Sequence, residues 1–520
     1  MMSTLTNRVE AAAMHPLATP GVLALAFVSR LFLLSYLASP EYHFDDALDS
    51  CIKAWQLADG EPVYAGDNIY LPILLFSIAP RLFGFSVQSA QLIAAASFSI
   101  SIAILFVAIR RIFGPWTAIY AVLISLILLP YAARSVFPTT AISSLWFPPL
   151  ILLLLSYPIT LWRASAVGFL GGLSLLAYTA GAIFALSIIA FHNVLFARGW
   201  RQRDRLAAAL IFGATLAAVF LLRHSMQGDA DALKWGIHSA NFAKVWATAE
   251  VLLKEMFLSA NSWYSLSAKS PYITWELKLL LLATITWALA SVFRPASSAK
   301  DKYSAKWVVV VIGAAGLSIF LAALAPSYPG IRRILPAVLV LIVTGGAFFD
   351  FCYRNFRLSP WLIMLGITLV VGVTAGRTIR DADKVKLRPV YRNQAFVQTA
   401  IKVLPLVAKN EEVAYVAMPG KRFTIGKNKQ LAEATACGIG LDHSVRRNIR
   451  QVRAIDVGAG NVHSAELLKG DFAAEIGAIM KESGLKSALV ISHLPFDADK
   501  RAGSAVSLEP VADIVLSASE

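Results

Sequence analysis

The chain has 520 residues, 57% of them hydrophobic and only 15% charged, against about 25% charged in an average soluble domain. One aqueous core stops growing near about 250–300 residues, so a single soluble globular fold is excluded. The net charge of +15 does not indicate a nucleic-acid partner, because many basic residues sit in short loops between apolar runs, where they orient a membrane protein.

In chain order, the apolar runs predict eleven transmembrane helices at roughly 20–38, 88–109, 116–133, 140–161, 165–180, 181–197, 206–222, 273–293, 307–325, 333–352 and 360–377. Each approaches the roughly 20 residues that cross about 30 Å of hydrocarbon. Arg30 is the main charge inside the first run. Leu37-Ala38-Ser39 resembles a signal-peptide exit, but the many later runs favour an uncleaved first span. The stretch 165–197 is long for one span and short for two. Gly168, Gly171, Gly172 and Gly181 allow a tightly packed hairpin there.

Charge gives this layout a direction. With the N-terminus (1–19) in the cytoplasm, the short inner loops hold Arg110, Arg111, Arg163, Arg198, Arg201, Arg203, Arg205, Arg294, Lys300, Lys302, Lys306, Arg354 and Arg357. Only Asp204 and Asp301 oppose them. A single span at 165–197 would move most of these residues outside, so the hairpin is kept. The expected architecture is an all-α polytopic bundle over 20–377, with a small soluble α/β domain at 378–520.

Three pieces fall outside the membrane in this scheme. The loop 39–87 carries Glu41, Asp45, Asp46, Asp49, Asp59, Glu61 and Asp67. Its apolar second half, Ile69–Phe85, is broken by Pro72 and Pro80 and reads as an interfacial helix. In the loop 223–272, Phe242, Val245, Trp246, Ala249, Leu252, Leu253, Met256 and Phe257 recur at helical spacing and predict an amphipathic helix. In the tail, Val413–Ala417, Ala488–Ile491 and Ile514–Leu516 read as strands, and 464–484 as a helix. Arg377, Arg380, Lys384, Lys386, Arg388 and Arg392 resist the external placement of the tail, and read as a basic collar facing anionic headgroups. Asp456-Val457-Gly458-Ala459-Gly460-Asn461 looks like a methyltransferase glycine loop, but Arg453-Ala454-Ile455 makes a poor strand before it and Val462 stands where a glycine is expected. The cysteines Cys51, Cys352 and Cys437 have no metal-ligand spacing, and His43 and His463 are isolated.

The richest stretch for chemistry is the first loop. Asp45 and Asp46 are adjacent carboxylates just beyond a membrane helix. At the edge of a low-dielectric site their repulsion raises the pKa of one of them, making its carboxylate a stronger proton acceptor, which suits a general base. The pair is followed by Ala54, Leu57, Gly60 and Tyr64, in the pattern Ala-x-x-Leu-x-x-Gly-x-x-x-Tyr. Later the chain reads Pro326-Ser327-Tyr328-Pro329-Gly330-Ile331-Arg332-Arg333-Ile334-Leu335-Pro336.

The acidic pair, its spacing, the span order and this late arginine element together resemble the GT-C superfamily. Those are membrane glycosyltransferases that use polyprenyl-phosphate sugars. More narrowly, the chain is similar to the protein mannosyltransferase group and the aminoarabinose transferase of lipid A. The resemblance implies a polyprenyl-phosphate sugar and a lipid, glycan or protein hydroxyl as substrates. It also implies an inverting transfer at the outer face of a bacterial inner membrane. Asp45 and Asp46 become the catalytic residues, and Arg332, Arg333 and Arg134 the phosphate ligands. Lys269 and Tyr64 are further substrate-binding candidates.

The chain also departs from that group. Its second external loop, Arg134-Ser135-Val136-Phe137-Pro138-Thr139-Thr140, has no acid, and no lysine lies near Tyr178-Thr179. Asp45 and Asp46 can take up a divalent cation, but two ligands do not define a metal site, and none is predicted. A lipid or polysaccharide transporter and a non-catalytic envelope assembly protein are the alternatives. The transporter should show internal repeats and broken spans, and no clear repeat is visible.

Overall fold

The computed structural model describes residues 11–37, 54, 57–58, 70–83, 87–128, 145–176, 179–227, 242–258, 272–293, 298–324, 334–387 and, in the tail, 413–417, 449–454, 487–491, 510–511 and 514–518. The chain divides into two compact units. One comprises 1–37, 62–75 and 91–388, and the other 38–61, 76–90 and 389–520.

The first unit is a helical bundle. In chain order the helices are α1 (Ala18–Leu37), α2 (Tyr70–Phe76), α3 (Ile78–Phe83), α4 (Val87–Ile112), α5 (Pro115–Ile127), α6 (Phe147–Leu155), α7 (Leu161–Leu173) and α8 (Thr179–Leu195). They continue with α9 (Gln202–Gln227), α10 (Phe242–Phe257), α11 (Trp275–Phe293), α12 (Ala299–Ala323), α13 (Leu335–Gly345), α14 (Ala347–Asn355) and α15 (Pro360–Leu387). Helix α3 belongs to the second unit. Among the described residues, five helical stretches, Ser89–Ile112, Trp275–Phe293, Ala299–Ala323, Leu335–Asn355 and Pro360–Arg380, are long and apolar enough to cross a bilayer.

A helix overlies each of the eleven apolar runs, and α10 coincides with the expected amphipathic segment. Val245, Ala249, Leu252 and Met256 are buried on one stripe of α10, whereas Trp246 on the other side is exposed. The stretch 165–197 is two helices, α7 and α8, with a 3-10 turn at Ser174–Leu176 between them. Helix α7 starts at Leu161, four residues earlier than hydropathy suggests, because the Thr160 hydroxyl caps the amide of Arg163. The interfacial segment is broken at Ser77 into α2 and α3.

Small residues decide who packs with whom. A Cβ on Gly168 would lie 2.2 Å from the Ala208 carbonyl oxygen, and one on Gly172 would lie 2.7 Å from Thr215 Cβ. Helices α7 and α9 therefore meet backbone to backbone and run parallel. Helix α8 lies antiparallel along α12. There Phe191 meets Gly313, Ser318 Oγ donates to Ser187 Oγ at 3.4 Å, and His192 packs 4.9 Å from the Trp307 ring. His192 Nδ1 accepts from Trp200 Nε1 at 3.1 Å.

One end of the bundle is tied by a polar joint. Gly114 has φ 143°, a conformation open almost only to glycine. It lets the chain turn from α4 into α5, with Pro115 at the first helical position. The α5 N-terminus is capped by another helix. Asp350 of α14 accepts from Thr117 N at 2.7 Å and from Thr117 Oγ1 at 2.6 Å. Beside it, Arg354 donates to Asp301 Oδ1 at 2.9 Å and to the Phe113 carbonyl at 2.8 Å. Lys300 reaches the Arg111 carbonyl at 3.1 Å, and Arg111 stacks on Tyr157 at 3.5 Å. The inner-loop cations of the sequence scheme, Arg294 excepted because it lies outside the described residues, fall on helix termini of this same end.

In the tail the described strands are β1 (Val413–Ala417), β2 (Ile449–Ala454), β3 (Ser487–Ile491), β4 (Pro510–Val511) and β5 (Ile514–Ala518). They form one sheet of order β2-β1-β3-β5-β4. Strands β2, β1 and β3 are parallel, and β5 is antiparallel to both β3 and β4. The three expected strands are β1, β3 and β5. The expectation of no strand before Asp456 is corrected, since β2 ends at Ala454. Strand β2 lies at the sheet edge, where Arg450, Gln451 and Arg453 are tolerated despite their low strand propensity. The expected helix 464–484 lies outside the described residues.

Candidate functional site

Asp45, Asp46, Tyr64, Arg134, Lys269, Arg332 and Arg333 all lie outside the described residues. The described helices nevertheless fix how the chain runs on either side of them. Thr284 Oγ1 donates to the Gly345 carbonyl at 2.6 Å, and Trp287 packs on Phe351, so α11 runs parallel to α13 and α14. Thr117 with Asp350, and Tyr120 with Phe349, make α5 antiparallel to them. The C-termini of α1, α5 and α12 and the N-termini of α11 and α13 therefore share the end opposite the basic joint. Segments 129–144, 259–271 and 325–333, which carry Arg134, Lys269 and the Arg332–Arg333 pair, each connect to helix termini at that end. The segment carrying Asp45 and Asp46 continues from Leu37, also at that end.

The described helices in this half differ in length. Helix α5 has 13 residues and α6 has 9, about 20 Å and 14 Å at 1.5 Å per residue. Helix α4, with 26 residues, is about 39 Å long. The start of α6 is pinned well inside α4: Ser101 Oγ donates to the Leu145 carbonyl at 2.7 Å, and Trp146 Nε1 donates to the Ser97 carbonyl at 2.9 Å.

Charges stand in the same half. Arg30 is fully buried in α1. Its guanidinium donates to the Leu126 carbonyl and lies 4.8 Å from the Phe98 ring centre. Glu276, in the first turn of α11, is 6% exposed. Its Oε1 accepts from Thr274 Oγ1 at 2.6 Å and from Thr374 Oγ1 of α15 at 3.3 Å. Its Oε2 lies 3.5 Å from Arg377, whose guanidinium also sits 5.9 Å from the Trp275 ring. Helix α15 continues ten residues past the expected end of its span, so Arg377 belongs to an interhelical ion pair. The collar reading does not apply to it in that simple form. Backbone bonds from Ile273 N to the Met256 carbonyl and from Tyr272 N to the Glu255 carbonyl button the end of α10 to the start of α11.

Charged groups at such depth are costly and are paired or functional. The sequence reading noted Arg30 without a role and passed over Glu276. A lone cation inside an apolar run, and a carboxylate opening one, were the available signals. Among the described residues no group of three or more His, Cys, Asp or Glu could hold a metal ion. The described cysteine, Cys352, is buried and unpaired.

The chain matches a solved structure over nearly its full length. ArnT from Cupriavidus metallidurans bound to undecaprenyl phosphate aligns over 96% of this chain and 97% of its own, with TM-score 0.60. The chain has the GT-C fold. The apo state of the same ArnT gives TM-score 0.58 over 96% and 98% of the two chains, and both ArnT structures are 14% identical to this chain. The oligosaccharyltransferase of Archaeoglobus fulgidus with zinc and sulfate aligns over 91% of this chain and 68% of its own, at 13% identity and TM-score 0.52. No protein-family model and no curated protein matches the sequence. The GT-C likeness thus resides in helix order and packing, since surfaces and cores of this shape admit many sequences.

Proposed function

We propose that this protein is a membrane glycosyltransferase. It moves a hexosyl or pentosyl unit from a polyprenyl phosphate to a hydroxyl of an envelope lipid, glycan or protein. The reaction takes place at the outer face of a bacterial inner membrane. The observation that carries this reading is the end-to-end GT-C likeness to an ArnT that binds undecaprenyl phosphate, combined with an acidic first loop of the expected spacing.

In this reading Asp45 takes the proton of the acceptor hydroxyl as its oxygen attacks the anomeric carbon. Asp46 orients the acceptor. The bond from the anomeric carbon to the lipid phosphate breaks, and the charge that develops on phosphate is met by Arg332 and Arg333, with Arg134 in support. Attack and departure on opposite faces invert the anomeric centre. Tyr64 and Lys269 contribute to substrate binding.

The test replaces Asp45 and Asp46 by Asn, one at a time, and measures envelope glycan modification together with the amount of folded protein. Loss of modification with normal folding is expected for Asp45→Asn. Full modification by both folded variants sinks the catalytic assignment. Movement of an unmodified lipid across the membrane, abolished by the same variants, would favour a transporter instead.

A further inference from the structure

At the basic end of the bundle the carboxylates are already engaged. Asp350 caps α5 through Thr117, and Asp301 is held by Arg354, Ser298 and Asn355. Three cations stand beside them: Arg111 in the last turn of α4, Arg163 in the first turn of α7 and Lys300 in the first turn of α12. Among the described residues none of the three has a carboxylate within ion-pair distance. Their contacts are aromatic rings and carbonyls. The guanidinium carbons of Arg111 and Arg163 lie 3.5 Å and 4.6 Å from the centre of one ring, that of Tyr157. Arg163 Nη1 donates to the Pro158 carbonyl at 2.7 Å, and Lys300 Nζ to the Arg111 carbonyl at 3.1 Å. Such partners orient a cation without cancelling its charge.

The positive-inside tendency accounts for cations at this end. It does not call for two like charges on one ring, where they repel each other. The patch is also pinned. Tyr303 Oη donates to the Ser156 carbonyl at 3.3 Å, and Ser304 Oγ to the Ile112 carbonyl at 3.0 Å. Helix α12 is thereby fastened both to the end of α4 and to the turn before α7. Beside the cations, Trp162 and Phe169 of α7 are exposed and lie two turns apart on one face. That face leads from the cations into the hydrocarbon.

We propose that Arg111, Arg163 and Lys300 hold the headgroup phosphate of an anionic glycerophospholipid, with an acyl chain along Trp162 and Phe169. Phosphate oxygens match the guanidinium fork, and basic pockets between membrane helices suit such headgroups. The adjoining apolar face selects a lipid over a free phosphate. The site lies at the end of the bundle opposite the helix termini that lead into the proposed catalytic loops, so the inference does not rest on the transferase reading.

The test titrates the purified full-length protein, in a neutral detergent, with dioleoyl phosphatidylglycerol or dioleoyl phosphatidylcholine and counts bound lipid by native mass spectrometry. The wild type is expected to bind the phosphatidylglycerol about tenfold more tightly. Arg111→Gln and Arg163→Gln should each weaken it about tenfold, the scale of one hydrogen bond to a charged group, and leave phosphatidylcholine binding unchanged. Arg205→Gln removes another exposed cation of the same end, one bonded to the Ala197 carbonyl, and should leave both affinities unchanged. Equal affinity for the two lipids overturns the proposal. An equal loss in Arg205→Gln also overturns it, because a diffuse positive field then explains the binding. Displacement of the lipid by an equal concentration of inorganic phosphate would assign the patch to a free anion and overturn the lipid assignment. If an arginine variant does not accumulate, Lys300→Gln must show the loss, and wild-type affinity there overturns the proposal.

Discussion

Replacing Gly114 by Ala tests the joint between α4, α5 and α14. Two costs combine at this position. The backbone sits at φ 143° and ψ −179°, and holding an L-residue in such a glycine region costs about 1–3 kcal/mol. The new methyl would also lie 2.2 Å from Asp350 Oδ1 and 2.5 Å from its Cγ, so the buried carboxylate must move. Moving it loosens the bonds from Thr117 N and Oγ1, each worth about 1.5–3 kcal/mol as a hydrogen bond to a charged group. A total of at least about 4 kcal/mol is expected, allowing for non-additivity. At about 2 °C per kcal/mol for a large chain, the apparent Tm in detergent should fall by about 8 °C. Irreversible unfolding makes the half-life at fixed temperature the safer companion measurement. Asp350→Ala alone loses the cap, and the double variant should cost less than the sum of the two, since no carboxylate remains to clash. A Gly114→Ala protein that melts within about 1 °C of wild type, or strict additivity, would refute the reasoning.

Two further outcomes follow from the same end of the molecule. Arg354→Met should destabilise by about 3 kcal/mol, the scale of breaking a largely buried pair, because Asp301 keeps only Ser298 and Asn355. Adding Asp301→Asn should recover about 1–2 kcal/mol of that in a double-mutant cycle read by thermal unfolding; a coupling of zero would show the pair to be ornamental. With Cys51, Cys352 and Cys437 replaced by Ser, an added Arg201→Cys, at an exposed position beside α9, should react with a membrane-impermeant maleimide only after the membrane is opened. Labelling of intact spheroplasts would reverse the orientation derived from the loop cations.

Much of the bundle was legible in the chain because lipid imposes one simple rule, about twenty apolar residues per crossing, and α10 because its buried stripe repeats with helical period. Strand β2 was missed for the opposite reason. An edge strand buries little, so Arg450 and Arg453 erase its signal without harming it. The Glu276–Arg377 pair joins residues a hundred positions apart, and no local pattern announces such a partner. Of the candidate site, the sequence supplied the reactive residue types, and those residues lie outside the described ones.

The packing of α8 along α12 has a consequence in time. A ribosome adding about 5–20 residues per second needs roughly 6–25 s to make the stretch of roughly 130 residues between the end of α8 and the end of α12. Until then the face of α8 that carries Ser187, Phe191 and His192 has not met its partner helix. The growing chain must therefore hold an incompletely packed, partly polar helix in the membrane while four later helices are made. Insertion of this protein is thus not a simple succession of hairpins, and its yield should depend on whatever shelters α8 during that interval.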